Sequence, residues 1–191
     1  MDQIEKFVKD SGLRIPAYNV CFYDSNGTDE ILDNILCGKK RANTGLFSLF
    51  EAQMQLLPRT GDYTVVLDSD MQPRCITRTT KVEVVPFEDV TADCAAAEGD
   101  GTLAAWKKAH RKAFAAACEE IGIDFDESMK CVYEYFDVVY RADGQRDKSE
   151  FVKRGAYAMP GILVVEDDEN LNRGITFSLK NPDMRFFQQN Q

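Results

Sequence analysis

One stretch constrains the fold more than any other: Leu103, Trp106, His110, Phe114, Ala117 and Ile121 recur at steps of three and four. That spacing is the signature of a helix with one buried stripe, running from near Thr102 to Ile121 before Gly122. His110 lies on the stripe, where a packed ring with a satisfied nitrogen is the ordinary role. Strand patterns flank this helix. Upstream, Tyr63 to Leu67, the turn-forming Asp68 to Pro73 and Arg74 to Val85 read as a hairpin. Downstream, Cys131 to Tyr140 alternates, with Val132, Glu134, Phe136 and Val138 on one face. The same alternation puts Arg78 beside Ile76, Val82 and Val84. Two charges therefore point inward, and because an unpaired buried charge is too costly to keep, Arg78 and Glu134 are expected to pair or to border a cleft. A bulge in the return strand would break that alternation.

The remaining pattern mixes both kinds of element. Ile4, Phe7 and Val8 share a face of a short N-terminal helix that Gly12 ends, and Pro16 redirects the chain. Tyr18 to Tyr23 suits a strand, and Ile31, Leu32, Ile35 and Leu36 form the buried stripe of a helix closed by Gly38. A looser stretch containing Pro58 follows. From Arg141 the chain turns polar, and apolar runs return only at 162–165 and 175–179, which read as a linker and a hairpin across 166–174. Two units are thus expected, a domain over 1–140 and an extension over 141–191 too small to fold alone.

With 191 residues, the chain suits one domain of the usual ~100 to 150 residues plus an appendage. No apolar run approaches the ~20 residues of a membrane-spanning helix, and the acid-containing start does not resemble a secretory signal, so a soluble cytoplasmic protein is expected. The six cysteines stand at no metal or redox spacing and read as reduced core thiols. With His110 as the one histidine, a zinc site has few ligands, and neither metal nor cofactor is expected. A net charge of −9 argues against charge-driven adhesion to long nucleic acid and suggests no DNA specificity. Local basic segments remain at Lys39-Lys40-Arg41, between Arg74 and Lys81, and from Lys107 to Lys112.

Several motifs, in order, carry a family resemblance. Gly38-Lys39-Lys40-Arg41-Ala42-Asn43-Thr44-Gly45 resembles the G-x-K-x-x-T signature of ASCH domains. Gly61 to Asp68, Cys75 to Phe87, Ala95 to Gly101 with Leu103 and Trp106, and Tyr133 to Val139 are similar to later parts of the same family. The likeness spans roughly residues 17 to 140. It implies an α+β fold, a small PUA-like β-barrel with flanking helices, in a family associated with RNA. Some members are amidohydrolases acting on N4-acetylcytidine, and others are proposed ribonucleases. The amidohydrolase Lys, Thr and Glu fall here on Lys40, Asn43 and Glu98.

In such a trio a Thr hydroxyl attacks an amide carbonyl, a Lys of lowered pKa accepts its proton and a carboxylic acid protonates the leaving amine. Asn43 is no useful nucleophile. Thr44 supplies a hydroxyl one residue later, on the opposite face of an extended chain. Lys40 and Glu98 activating a water, with Asn43 orienting the carbonyl, would preserve hydrolysis. Three functions follow as expectations. One is a binding module for RNA or a nucleoside-like small molecule, lined by Lys39, Lys40, Arg41, Asn43, Thr44, Arg78 and His110. Another is a hydrolase using Lys40 and Glu98, and the third an interaction module acting through the extension.

Overall fold

A computed structural model describes residues 3–23, 28–99 and 101–142, so the extension expected over 141–191, with its linker and hairpin, lies almost wholly outside the described residues. The architecture is α+β: a curled, half-barrel sheet of five strands with helices against it. The strands are β1 (Asn19–Cys21), β2 (Ala42–Leu46), β3 (Tyr63–Leu67), β4 (Pro73–Pro86) and β5 (Lys130–Arg141), in the spatial order β1-β3-β4-β5-β2. β1 runs parallel to β3, and the other neighbours are antiparallel.

The helices are α1 (Gln3–Asp10), α2 (Thr28–Leu36), α3 (Phe47–Ala52), α4 (Ala92–Glu98) and α5 (Leu103–Glu120). The stripe of α5 is buried as its spacing predicts, through Trp106, His110, Ala113, Phe114 and Ala117. It packs with Phe87, Leu46 and Tyr133 in one cluster, where Phe87 stacks on Trp106 at 5.4 Å and meets Phe114 edge-on at 6.1 Å. Aromatic pairs at such separations add to their area burial. Ile31, Leu32 and Ile35 of α2 fill a second cluster with Tyr23 and Phe136, and α1 lays Ile4, Phe7 and Val8 on Val65, Leu67 and Ile76. Both faces of the sheet are therefore covered. This is why Cys131 to Phe136 are all buried although their side chains alternate.

The alternation expected for the return strand fails in β4. Its register against β5 shifts between Ile76 and Thr77 and again between Thr79 and Lys81. The first passes over Val139 of β5 and the second over Thr80 of β4, so the second alone turns the later side chains of β4 to the other face. Arg78 therefore shares a face with Ile76 but not with Val82 and Val84, and it is exposed there opposite Tyr63, its guanidinium 5.7 Å from that ring, while Thr79 on the other face is buried. Arg78 does not pair with Glu134: the Glu134 Oε1 accepts the Thr79 hydroxyl. Glu134 itself is inward, as its strand pattern predicts. The looser stretch contains β2 and α3, which the sequence reading left without elements. Four cysteines are buried, Cys94 is half-buried against the main core cluster and Cys37 is exposed, and all six are free thiols, so of the expected core thiols Cys37 lies outside the core. Among the described residues no helix is long and apolar enough to cross a membrane.

Candidate functional site

Two chain segments meet at the signature residues. α4 is capped by Thr91, whose hydroxyl accepts from the Cys94 amide at 3.3 Å, and it ends with Glu98 before Gly99 turns left-handed at φ 89°. A non-glycine residue there would be strained. The turn after α2 is clipped onto this helix end: the Arg41 amide donates to the Ala97 carbonyl at 2.7 Å, and the Lys40 amide to that of Asn34 at 2.8 Å. Lys39 lies along Gly99. These backbone bonds bring Lys40, 4 % exposed, to Glu98, 3 % exposed, across 58 positions of sequence.

The Glu98 carboxylate is bonded asymmetrically. Its Oε1 accepts from the Trp106 indole at 2.8 Å and from the Thr44 hydroxyl. Its Oε2 has Lys40 Nζ at 3.7 Å and His110 Nε2 at 3.7 Å, too far for hydrogen bonds, and neither Oε2 nor Nε2 has a hydrogen-bond partner among the described residues. His110 stacks on Trp106 with centroids 4.0 Å apart and planes 17° from parallel, and its Nδ1 is 3.1 Å from the Trp106 carbonyl. A carbonyl can only accept, so Nδ1 carries a proton. The Tyr133 hydroxyl, opposite Thr44 in the ladder, is buried and also lacks a partner among the described residues.

Electrostatics set the charge states. Burial alone would raise the Glu98 pKa, but the His110 ring, the Lys40 ammonium and the Thr44 hydroxyl together hold it down to about 2. The carboxylate is ionised at neutral pH. Burial, and then the Glu98 charge, push the Tyr133 phenol upward, so that it stays a neutral hydroxyl. What results is a buried anion with one oxygen unclaimed, a cation and an imidazole facing that oxygen, and a hydroxyl on the other.

The structure brings together four of the predicted residues, Lys40, Thr44, Glu98 and His110. Asn43 does not join them. As alternate neighbours on β2, Asn43 and Thr44 face opposite ways, and it is Thr44 that reaches Glu98. The Asn43 Oδ1 instead accepts from the Tyr23 hydroxyl at 3.4 Å. Lys39 is exposed, Arg41 turns its Nε back to the Gly38 carbonyl at 3.2 Å, and Arg78 stands on Tyr63. Trp106, expected to be only core, is core and also a donor to Glu98. Tyr133 escaped the sequence reading because only the β2–β5 register sets it opposite Thr44.

A model of the ASCH domain matches residues 19–140. The chain belongs to the ASCH domain family. An ASCH domain from Lactobacillus crispatus JV V101, known as a crystal structure, is 31 % identical with a TM-score of 0.68, covering 74 % of this chain and 96 % of that one. A crystal structure of a protein from Enterococcus faecalis V583 is 27 % identical with a TM-score of 0.64, covering 73 % of this chain and 86 % of that one. No curated protein matches. The half-barrel with flanking helices is thus the fold of this ASCH domain's relatives as well.

Proposed function

We propose that this ASCH domain binds a nucleoside-like molecule, free or as a residue of RNA, at the group formed by Lys40, Thr44, Glu98 and His110. One observation carries the reading: the buried Glu98 Oε2 and His110 Nε2 have no hydrogen-bond partner among the described residues, with the Lys40 ammonium 3.7 Å from the former. Unsatisfied buried polar atoms are costly, so they favour a molecule that supplies what they lack. The carboxylate calls for an N–H or O–H donor, and the ammonium calls for a carbonyl or ring-nitrogen acceptor. A nucleobase edge offers both within one plane. A net charge of −9 suits a small ligand better than a long phosphate track. The six free thiols fit a reducing compartment, which supports a cytoplasmic location.

Hydrolysis of an acylated nucleoside or an RNA phosphodiester is the second reading, and the Thr44–Glu98 bond favours it, since it supplies the hydroxyl that Asn43 cannot. Against it stands the low pKa of Glu98, which makes the carboxylate a weak general base. One experiment separates the two. The full chain is titrated by calorimetry with N4-acetylcytidine, unmodified nucleotides and short RNAs, and each mixture is then analysed for product. Saturable heat without product supports binding. Deacylated or cleaved product, with an acyl adduct on Thr44 in the former case, would replace it with hydrolysis, and neither heat nor product would remove both readings.

A further inference from the structure

β4 outruns one of its two neighbours. Against β5 it is paired as far as Pro86, opposite Lys130, whereas β3 accompanies it only between Pro73 and Arg78. The last rungs on the β3 side are at Thr79, whose amide donates to the Asp62 carbonyl at 2.9 Å and whose carbonyl accepts from the Gly61 amide at 2.8 Å. There the neighbouring chain turns away. The Asp62 amide donates to the Arg59 carbonyl at 3.0 Å, and the Arg59 amide to the Asp62 carboxylate at 2.8 Å, which closes a tight turn. Residues 81–86 therefore form a sheet edge with no strand beside them among the described residues.

The ladder fixes which backbone groups this edge presents. The Phe87 amide donates to the Met129 carbonyl at 2.9 Å, continuing the register of Pro86 on Lys130. Alternation then turns the backbone groups of Val85, Glu83 and Lys81 toward β5 and those of Val84 and Val82 outward. The side chains sort in the same way. Val82 and Val84 share one face, Val84 being 44 % exposed. Lys81 and Glu83 share the other, ion-paired with each other, and Lys81 Nζ lies 5.9 Å from the Tyr135 ring. An open edge of this kind templates a further strand, and the strand that fits it has one apolar and one polar face.

One segment of this chain has that pattern. Ile175-Thr176-Phe177-Ser178-Leu179 alternates apolar and polar residues and is rich in strand formers, whereas Ile162 to Val165 is apolar throughout, which suits burial on both faces. The tether is long enough. The Ala142 amide bonds to the carbonyl of Arg74, and from Arg74 along β4 to Val84 is a rise of ~33 Å. Ile175 follows Ala142 by 33 positions, and a polypeptide of that length reaches ~110 Å at full extension. A second copy offering its own 81–86 edge would instead bring together two chains of net charge −9, with no tether to raise its local concentration. We infer that residues 175–179 add to the sheet as a strand along the 81–86 edge of β4, with Ile175, Phe177 and Leu179 on the side of Val82 and Val84, and Thr176 and Ser178 on the side of Lys81 and Glu83. This intramolecular docking does not depend on the function proposed for the Lys40–Glu98 group.

Nuclear magnetic resonance with amide hydrogen exchange on the full chain tests it. Cross-strand contacts are expected between the amide protons of Val82 and Val84 and protons of residues 175–179. Both amides are expected to exchange at least ~100-fold more slowly than in an unstructured peptide. Phe177→Pro removes one amide donor and the central apolar side chain, and is expected to speed exchange at Val82 and Val84 at least ~tenfold. Glu83 and Val85, turned toward β5, are expected to stay as slow as in the parent, which shows that the variant is folded. Dilution by ~twentyfold is expected to leave all these rates unchanged. Exchange at Val82 and Val84 near the unstructured rate, or rates unmoved by Phe177→Pro, would overturn the proposal. So would contacts from another part of the chain, or protection that fades on dilution, the mark of a second copy at this edge. The contacts in the unaltered chain decide the matter even where the variant fails to fold.

Discussion

Replacing Glu134 by Gln is expected to stabilise the protein at neutral and alkaline pH and to change little in acid. Burial is the main cause that pushes the Glu134 carboxyl up from 4.5 to about 7, the Thr79 hydroxyl pulls the other way, and the Asp62 charge adds to the rise. The folded chain therefore holds this proton more tightly than the unfolded chain does. Stability from the neutral acid is fully present below about 4.5, and is lost as pH rises through about 7. A displacement of ~2.5 units at ~1.36 kcal/mol each bounds the loss at ~3 kcal/mol. Gln keeps the shape and can still accept from Thr79 through its carbonyl oxygen, but it has no proton to lose. The difference between variant and parent is expected to grow from near zero at acid pH to as much as ~3 kcal/mol in favour of the Glu134→Gln variant above neutrality. Urea unfolding of both proteins at matched pH steps reads this directly, and groups unaffected by the change cancel in the difference. A difference that stays flat with pH, or a variant less stable than its parent at pH about 8, would refute the reasoning.

Glu98 has the opposite sign. Its pKa is lowered to about 2, so its contribution is present above about 4.5 and is lost as pH falls through about 2. Glu98→Gln is accordingly expected to cost ~3 kcal/mol or more at pH 7, shrinking in strong acid, by the same unfolding measurements. Lys40→Met is expected to abolish nucleoside binding in calorimetry and also to lower stability by ~1–3 kcal/mol, because it leaves the buried Glu98 charge with less compensation. Trp106→Phe removes the indole donor at 2.8 Å and is expected to cost ~1.5–3 kcal/mol in a denaturant titration, the value of a hydrogen bond to a charged group. Arg78→Met is expected to lie within ~0.5 kcal/mol of the parent and to add to Glu134→Gln without coupling, which a double-mutant cycle measures.

The linear pattern determined what depends on local spacing. The α5 stripe, the strands Tyr63–Leu67 and Lys130–Arg141, and the glycine-ended α2 follow from periodicities and turn residues contained in short windows. The ordered motifs, spanning roughly residues 17 to 140, carry the family, and they singled out Lys40 and Glu98 as partners. Tertiary structure decided whatever depends on register. β2 has no strand pattern of its own, because a segment buried on both faces shows no alternation, and it becomes a strand by pairing with β5. The bulge at Thr80 of β4 takes Arg78 off the face of Val82, Val84 and Glu134, a change that one extra residue produces and that no count along the chain reveals. Likewise the signature spacing pointed to Asn43, while the pleat of β2 delivered Thr44 to Glu98 and sent Asn43 to Glu134. A side chain's neighbours across a sheet come from distant sequence, so residue type proposes the chemistry and strand register selects which residues share it.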